Sequence, residues 1–211
     1  APALEQAKDN TKHLAALGHF FEPLYSGNVA QMLDCLPGLF SGIRMLVSVT
    51  RHYSSARRLA RMISRVATQT VTGCRRVLLR RGHLLDQDLA DGKNRSGDCL
   101  KVLASFREHE ESLYQRLLTL PRGRHHEFRP EDIMADLVAF EKRLRKVHSM
   151  LETIGQFSTL HDAQIEGMGP IKEALDQVLE RLRRKPYDLL DTRDQVFEED
   201  LASFEASIAE V

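Results

Sequence analysis

IMADLVAFEKRLRKVHSMLETI, residues 133–154, decides the fold. Its apolar positions Ile133, Leu137, Phe140, Leu144, Val147, Leu151 and Ile154 are separated by alternating steps of four and three, a heptad seam held for three repeats. A strand cannot gather that set on one face, because its side chains alternate with a period of two. A narrow apolar stripe of this kind has to be covered by a neighbouring helix crossing at a shallow angle. Pro130 followed by Glu131 and Asp132 marks the start. Proline loses no helical hydrogen bond in the first turn, and the two acids face the positive end of the helix dipole.

The same period runs outward in both directions. Downstream, Gly167-Met168-Gly169-Pro170 introduces a helix from Pro170 to Arg184 with Ile171, Leu175, Val178 and Leu182 inward. Its last-turn Arg183-Arg184-Lys185 complements the negative end, and Pro186 stops it. After Tyr187 to Leu190, Asp191 or Thr192 is the expected cap of a last helix carrying Phe197, Leu201, Phe204 and Ile208. Upstream, Asp98 to Leu120 reads as a helix with Leu103, Phe106, Leu113, Leu117 and Leu120 inward, ended by Pro121-Arg122-Gly123-Arg124. Asp91 to Gly97 is rich in turn formers and is expected to be a loop. Ser54 to Arg81 places Leu59, Ile63, Val66, Thr70, Cys74 and Val77 on one face. Pro2 to Phe21 and Asn28 to Ser48 complete the set; Pro37-Gly38 either kinks the second of these or splits it. With only 7 prolines and 12 glycines, mostly at these ends, the chain is expected to be all-α. The architecture implied is an elongated stack of long helices in antiparallel bundles, about seven in number, one segment over residues 1–211 with a candidate sub-bundle break near 84–97.

Composition narrows the function classes. Thirty basic and thirty acidic residues cancel over 211 positions, and the isoelectric point of 7.3 gives no general attraction to polyanions. Cys35, Cys74 and Cys99 lie far apart without CxxC spacing, which argues against a disulfide framework or a zinc site and for a reducing compartment. Val29 to Val49 is the most apolar stretch, but Asp34, Pro37 and Arg44 interrupt it, so no membrane span is expected. The chain starts without Met and stops inside a helical pattern, which reads as a segment of a longer protein.

Residues of chemically capable types have ordinary structural roles in this sequence. His125-His126 point apart on an irregular stretch, and no HExxH spacing involves His13, His19, His148 or His161. Gly92-Lys93 lacks the glycine five residues earlier that a phosphate-cradling loop requires, Gln87 standing there. No nucleophile with a base, and no paired carboxylates apart from ordinary helix surface, can be assembled, so catalytic, cofactor and metal residues are expected to be absent. Glu110 falls at a seam position, four from Phe106, and is expected at the seam's edge. The methionines are expected to fill core. The basic residues of the Ser54–Arg81 helix are the strongest surface signal. Arg57, Arg58, Arg61, Arg75, Arg76, Arg80 and Arg81, with Arg65, form either a solvated face or a docking face for an acidic protein partner. Nucleic acid is disfavoured because no stacking aromatics interleave them.

The order of short motifs along the whole chain resembles the N-terminal tail of dynein heavy chains of the axonemal, outer-arm type. The likeness runs through Asp9-Asn10-Thr11-Lys12-His13-Leu14, Glu22-Pro23-Leu24-Tyr25, Leu36-Pro37-Gly38-Leu39 and Ile43-Arg44-Met45. It continues through Arg51-His52-Tyr53-Ser54-Ser55, where the family usually has Arg-Tyr-Tyr-Asn-Thr, and Thr68-Gln69-Thr70. Phe140-Glu141-Lys142-Arg143-Leu144, Phe157-Ser158-Thr159-Leu160, Gln164-Ile165-Glu166-Gly167-Met168 and Tyr187-Asp188-Leu189-Leu190-Asp191 complete it. Leu84 to Gly97 reads as unmatched insertion. The resemblance implies a non-catalytic stem linking an ATP-driven microtubule motor to intermediate chains and other heavy chains, with light chains and docking proteins joining through the complex. ATP and magnesium would belong to the motor elsewhere in the parent. The implied location is the cytoplasm and cytoskeleton, in the axoneme of a cilium or flagellum. A free-standing helical adaptor of the spectrin or exocyst kind is the alternative, and a helical hydrolase or transferase ranks last.

Overall fold

The computed structural model describes residues 2–49, 56–82, 84–85, 88–119, 129–162, 169–184 and 188–210. Every regular element among them is helical: α1 Pro2–Ala15, α2 Gly18–Phe21, α3 Pro23–Ser26, α4 Val29–Val49, α5 Ala56–Leu79, α6 Leu89–Thr119, α7 Pro130–Ile133, α8 Ala135–Asp162, α9 Gly169–Arg184 and α10 Gln195–Glu210. The long helices are those expected; α2, α3 and α7 are single turns added to them. The residues fall into two compact units, Ala1–Val77 with Asp98–Glu141, and Leu78–Gly97 with Lys142–Val211.

In the first unit the expected opening helix stops at Ala15 instead of Phe21. The reason lies in α4, where Gly38 and Gly42 are one turn apart. A Cβ on Gly38 would stand 2.2 Å from the Phe20 ring, and one on Gly42 would stand 2.2 Å from Leu17 Cδ2. The chain has to turn after Ala15 to lay those two side chains into the glycine groove. Pro23 then opens α3, and Gly27, at φ 65°, ends it in the left-handed conformation that glycine adopts without strain. Pro37 leaves α4 unbroken from Val29 to Val49, so the splitting option does not occur.

This helix corrects a second expectation. By length and composition α4 is apolar enough to cross a membrane, despite Asp34 and Arg44. Its apolar face is buried in the protein: Met32, Leu36, Leu39, Phe40, Ile43, Leu46 and Val47 are core. Leu59, Ile63, Val66, Cys74 and Val77 of α5 and Leu103, Phe106 and Leu113 of α6 are buried in the same unit. Phe40 and Phe106 pack edge to face with centroids 5.1 Å apart. Gly73 of α5 is the tightest point, because a Cβ there would lie 2.5 Å from the backbone oxygen of Leu24 and 2.8 Å from Met32 Cε.

The second unit overturns the loop expected at Asp91–Gly97, which is helix within α6. Asp88 supplies the start, its Oδ1 accepting from the amide of Ala90 at 3.1 Å. The small and polar residues that resemble a turn serve packing instead. Gly92 is buried against Leu84 and Leu151, and Ser96 is wholly buried, its hydroxyl donating to the Lys93 carbonyl at 2.8 Å and lying 2.8 Å from His148 Nδ1. Arg95 reaches Asp91 one turn earlier at 3.1 Å and the Leu78 carbonyl at 3.0 Å.

The seam of α8 is as read. Leu137 and Phe140 are buried in the first unit and Leu144, Val147, Leu151 and Ile154 in the second, whereas Ile133 is half-buried in α7. Leu182 of α9 and Phe197, Leu201 and Phe204 of α10 are buried as expected. The cap of α10 is neither Asp191 nor Thr192 but Asp194, whose Oδ1 accepts from the Phe197 amide at 3.1 Å. Among the methionines, Met32, Met134 and Met150 are core, but Met45 is 60 % exposed. Ser54, Leu120 to His126, Gln164 to Met168 and Tyr187 lie outside the described residues, as do the side chains of Phe157, Ile171, Leu175, Val178 and Ile208.

Candidate functional site

Helix α5 contains six arginines and no acidic residue, so the helix itself is strongly basic. The structure sorts the sequence-derived arginines into three groups. Arg58 and Arg61 come together with Arg65 at a cleft of about 520 Å³, whose other walls are Leu14, Phe21, Tyr25, Met62, Val66 and Gln69. Arg57 is exposed and does not line this cleft.

Arg75 and Arg76 are engaged inside the first unit. The Arg75 guanidinium lies 5.2 Å from the centroid of the Phe140 ring, a cation–π contact, and Arg76 Nη1 donates to the Tyr25 carbonyl at 2.9 Å. Arg80 and Arg81 follow the end of α5 and belong to the second unit, where Arg81 pairs with Asp91 at 3.1 Å. The far wall of the cleft is held to α5 by three contacts. Gln69 Nε2 donates to the Tyr25 hydroxyl, Arg76 grips the Tyr25 carbonyl, and Gly73 admits the Leu24 carbonyl.

The second constellation was not legible as a site. Arg143 in α8 is 2 % exposed, an unusual place for an arginine unless it is paired. Its Nη2 donates to the carbonyls of Asp191 at 2.5 Å and Asp194 at 2.6 Å, its Nη1 stands 3.5 Å from Glu198, and its guanidinium lies 4.7 Å from the Phe197 ring centroid. Lys146, one turn behind, also pairs with Glu198. The turn before α10 is shaped to offer those carbonyls: Asp188 Oδ1 accepts from the Leu190 amide at 3.0 Å and Asp191 Oδ1 from the Arg193 amide at 2.9 Å. The signal available in sequence was the spacing Asp188, Asp191, Asp194, with Arg143 one position before a seam leucine. Neither says that the two meet.

Three further buried groups are perturbed. Glu110 is 1 % exposed, so the seam-edge expectation is corrected: it lies inside, and its Oε1 has no hydrogen-bond partner. Burial first, then the charges of Glu111 and Glu131, push its carboxyl up to about 7, against the pull of Arg107. Burial raises the Cys35 thiol to about 11. Cys99 donates to the Cys74 carbonyl at 3.7 Å, and its contact with Cys74, followed by burial, holds the Cys74 thiol well above the usual range. Cys35 and Cys74 are therefore buried thiols held in the protonated, unreactive form. Among the described residues no three His, Cys, Asp or Glu side chains gather as a metal site would require.

The described residues of the chain are all-α, with buried apolar seams in each of the two units. The whole of it, residues 1–211, matches the family described as dynein heavy chain, N-terminal region 1. The chain belongs to that family. It is 30 % identical over 207 residues to the dynein gamma chain of the flagellar outer arm of Chlamydomonas reinhardtii, a match covering 98 % of this chain and 5 % of the relative. It is 28 % identical over 208 residues to dynein axonemal heavy chain 8 of Homo sapiens, covering 96 % of this chain and 5 % of that protein. Against dynein axonemal heavy chain 5 of Mus musculus the identity is 25 % over 204 residues, covering 96 % and 4 %. The chain thus spans about one-twentieth of the length of the relatives it matches.

Proposed function

We propose that this chain is a non-catalytic stem segment of an axonemal dynein heavy chain, a helical scaffold between the motor and the complex's other subunits. The observation that carries the reading is the family match over all 211 residues combined with apolar seams already filled within each unit. A scaffold works because bending it is costly. Tilting a seam helix exposes apolar surface at roughly 25 cal/mol per Å² along its length, so load passes along the helices before they separate. The Arg143 contacts add a polar fastening, since pulling α10 away strands a buried guanidinium.

On this reading the ATP and magnesium of the parent belong to its microtubule motor outside the segment, and intermediate chains and other heavy chains bind along the tail. Light chains and docking proteins join through the complex, in the axoneme of a cilium or flagellum. The relatives named for flagellar outer-arm and axonemal heavy chains support that location. The test deletes residues 1–211 from the full-length heavy chain in a ciliated cell. Motor ATPase should survive while co-purification of intermediate chains or partner heavy chains is lost. Lost ATPase with an intact complex would reverse the reading.

A further inference from the structure

Glu110 is a carboxyl in an apolar place. It is 1 % exposed, Phe106 and Leu113 a turn to either side of it are buried too, and its Oε1 meets no donor. Such a side chain is tolerated as a neutral acid and strands a charge once ionised. Glu111 of its own helix and Glu131 of α7 add like charge, and Arg107, a turn earlier, opposes them. That arginine is also engaged by Glu141 of α8, at 3.2 Å. From α5, Arg75 lies over the Phe140 ring, and α4 meets this stretch of α6 with the Phe40 ring, against Phe106 and His109. We propose that residues 130–138, α7 with the first turn of α8, form a proton-held clasp on α6, closed while Glu110 is neutral and loosened when the proton leaves.

This segment is the part of the unit that gives way at least cost. Helix α7 is a single turn without a side-chain cap, and Met134, at φ −114°, interrupts the helix between it and α8. Only Met134 and Leu137 of residues 130–138 are buried, whereas α4, α5 and α6 each bury several turns of apolar side chains. Just beyond Val138 the chain is anchored twice, by Phe140 under the Arg75 guanidinium and by Glu141 on Arg107. Ionisation sets Glu110 against Glu131, the charge that α7 itself carries. The direction with pH follows from proton linkage. Burial, then Glu111 and Glu131, raise the carboxyl to about 7 in the closed form, and the open form returns it to an ordinary 4.5. The clasp is therefore firmest below the lower value, loosens between the two and is loosest above the upper one.

Hydrogen exchange of the whole native chain, followed by NMR and scaled for intrinsic exchange, reads the clasp at two amides. These are Met134 and Val138, which donate to the carbonyls of Pro130 and Met134. Their protection should fall about tenfold between about pH 6 and about pH 8. At either pH it should stay about tenfold or more below that of the buried α5 positions and respond weakly to low urea, as an opening that exposes little surface does. Glu110→Gln should hold the pH step within about twofold, and Glu131→Gln should make it smaller than in the parent. His109→Gln, which removes the neighbouring imidazole, should keep it. Circular dichroism of each variant establishes that the helices are intact. The proposal is overturned if Met134 and Val138 share the protection and urea dependence of α5, because the proton then governs only unfolding of the whole unit. It is equally overturned if Glu110→Gln keeps the pH step, or if protection at these amides is constant or rises with pH.

Discussion

Replacing Glu110 by Gln should remove a pH dependence from the stability of the first unit. The carboxyl sits at about 7 in the folded chain and at an ordinary 4.5 when unfolded, chiefly because burial disfavours its charged form. Below the lower value it is protonated in both states and contributes no penalty. Between the two, the folded chain holds a proton that the unfolded chain has released, so stability falls as pH rises, and above the upper value the loss is complete. The gap corresponds to about 3 kcal/mol, of which about 2.5 should be lost between about pH 5 and about pH 8. Glutamine keeps the shape and cannot ionise. Urea unfolding of both proteins across that range should therefore show Glu110→Gln gaining on the parent by about 2.5 kcal/mol as pH rises. A difference that stays constant with pH would refute the assignment of Glu110 as a buried, unpaired acid, and one that shrinks would mean that the charged form has a partner.

Other outcomes follow from particular contacts. Arg143→Ala strands two carbonyls and leaves Glu198 to Lys146 alone, and should cost about 3 kcal/mol, with hydrogen exchange accelerating first around residues 188–210. Uniform loss of protection across the chain would contradict a local role. Gly73→Ala should destabilise by about 1–3 kcal/mol because the added methyl meets a backbone oxygen, whereas Gly155→Ala, with nothing within 4 Å, should stabilise by about 0.5–1 kcal/mol; thermal unfolding of the two should move in opposite directions. Leu144→Asp, placing a charge in the α8 seam, should cost several kcal/mol, and unchanged melting would show the seam to be misassigned.

What could be read beforehand follows from which forces leave a periodic trace. Burial of one helix face repeats every three or four residues, so Leu59 to Val77 in α5 and Leu137 to Ile154 in α8 announce themselves. Contacts between distant segments leave no such trace. Gly92, Ser96 and Gly97 look like a turn because small polar residues also serve close packing, and only the presence of Leu84, Leu151 and His148 tells the two apart. Arg143 carries the residue type of a solvated helix surface, and its burial depends on a turn some fifty positions away. Cys74 and Cys99, unremarkable by spacing, meet because α5 and α6 pack side by side. For the basic residues, composition revealed the charge of α5, and only the fold separates Arg58, Arg61 and Arg65 at the cleft from Arg75 and Arg76, which are used internally.

The close seating of Leu24 on Gly73 has a kinetic consequence. Main chain rests there against a residue with no side chain to swing aside, and the Tyr25 contacts pin the same turn from either side. The opening beside it is therefore cast in advance. Parting the two segments means lifting main chain off main chain all at once, so this turn should open in step with the first unit as a whole and not by local fraying.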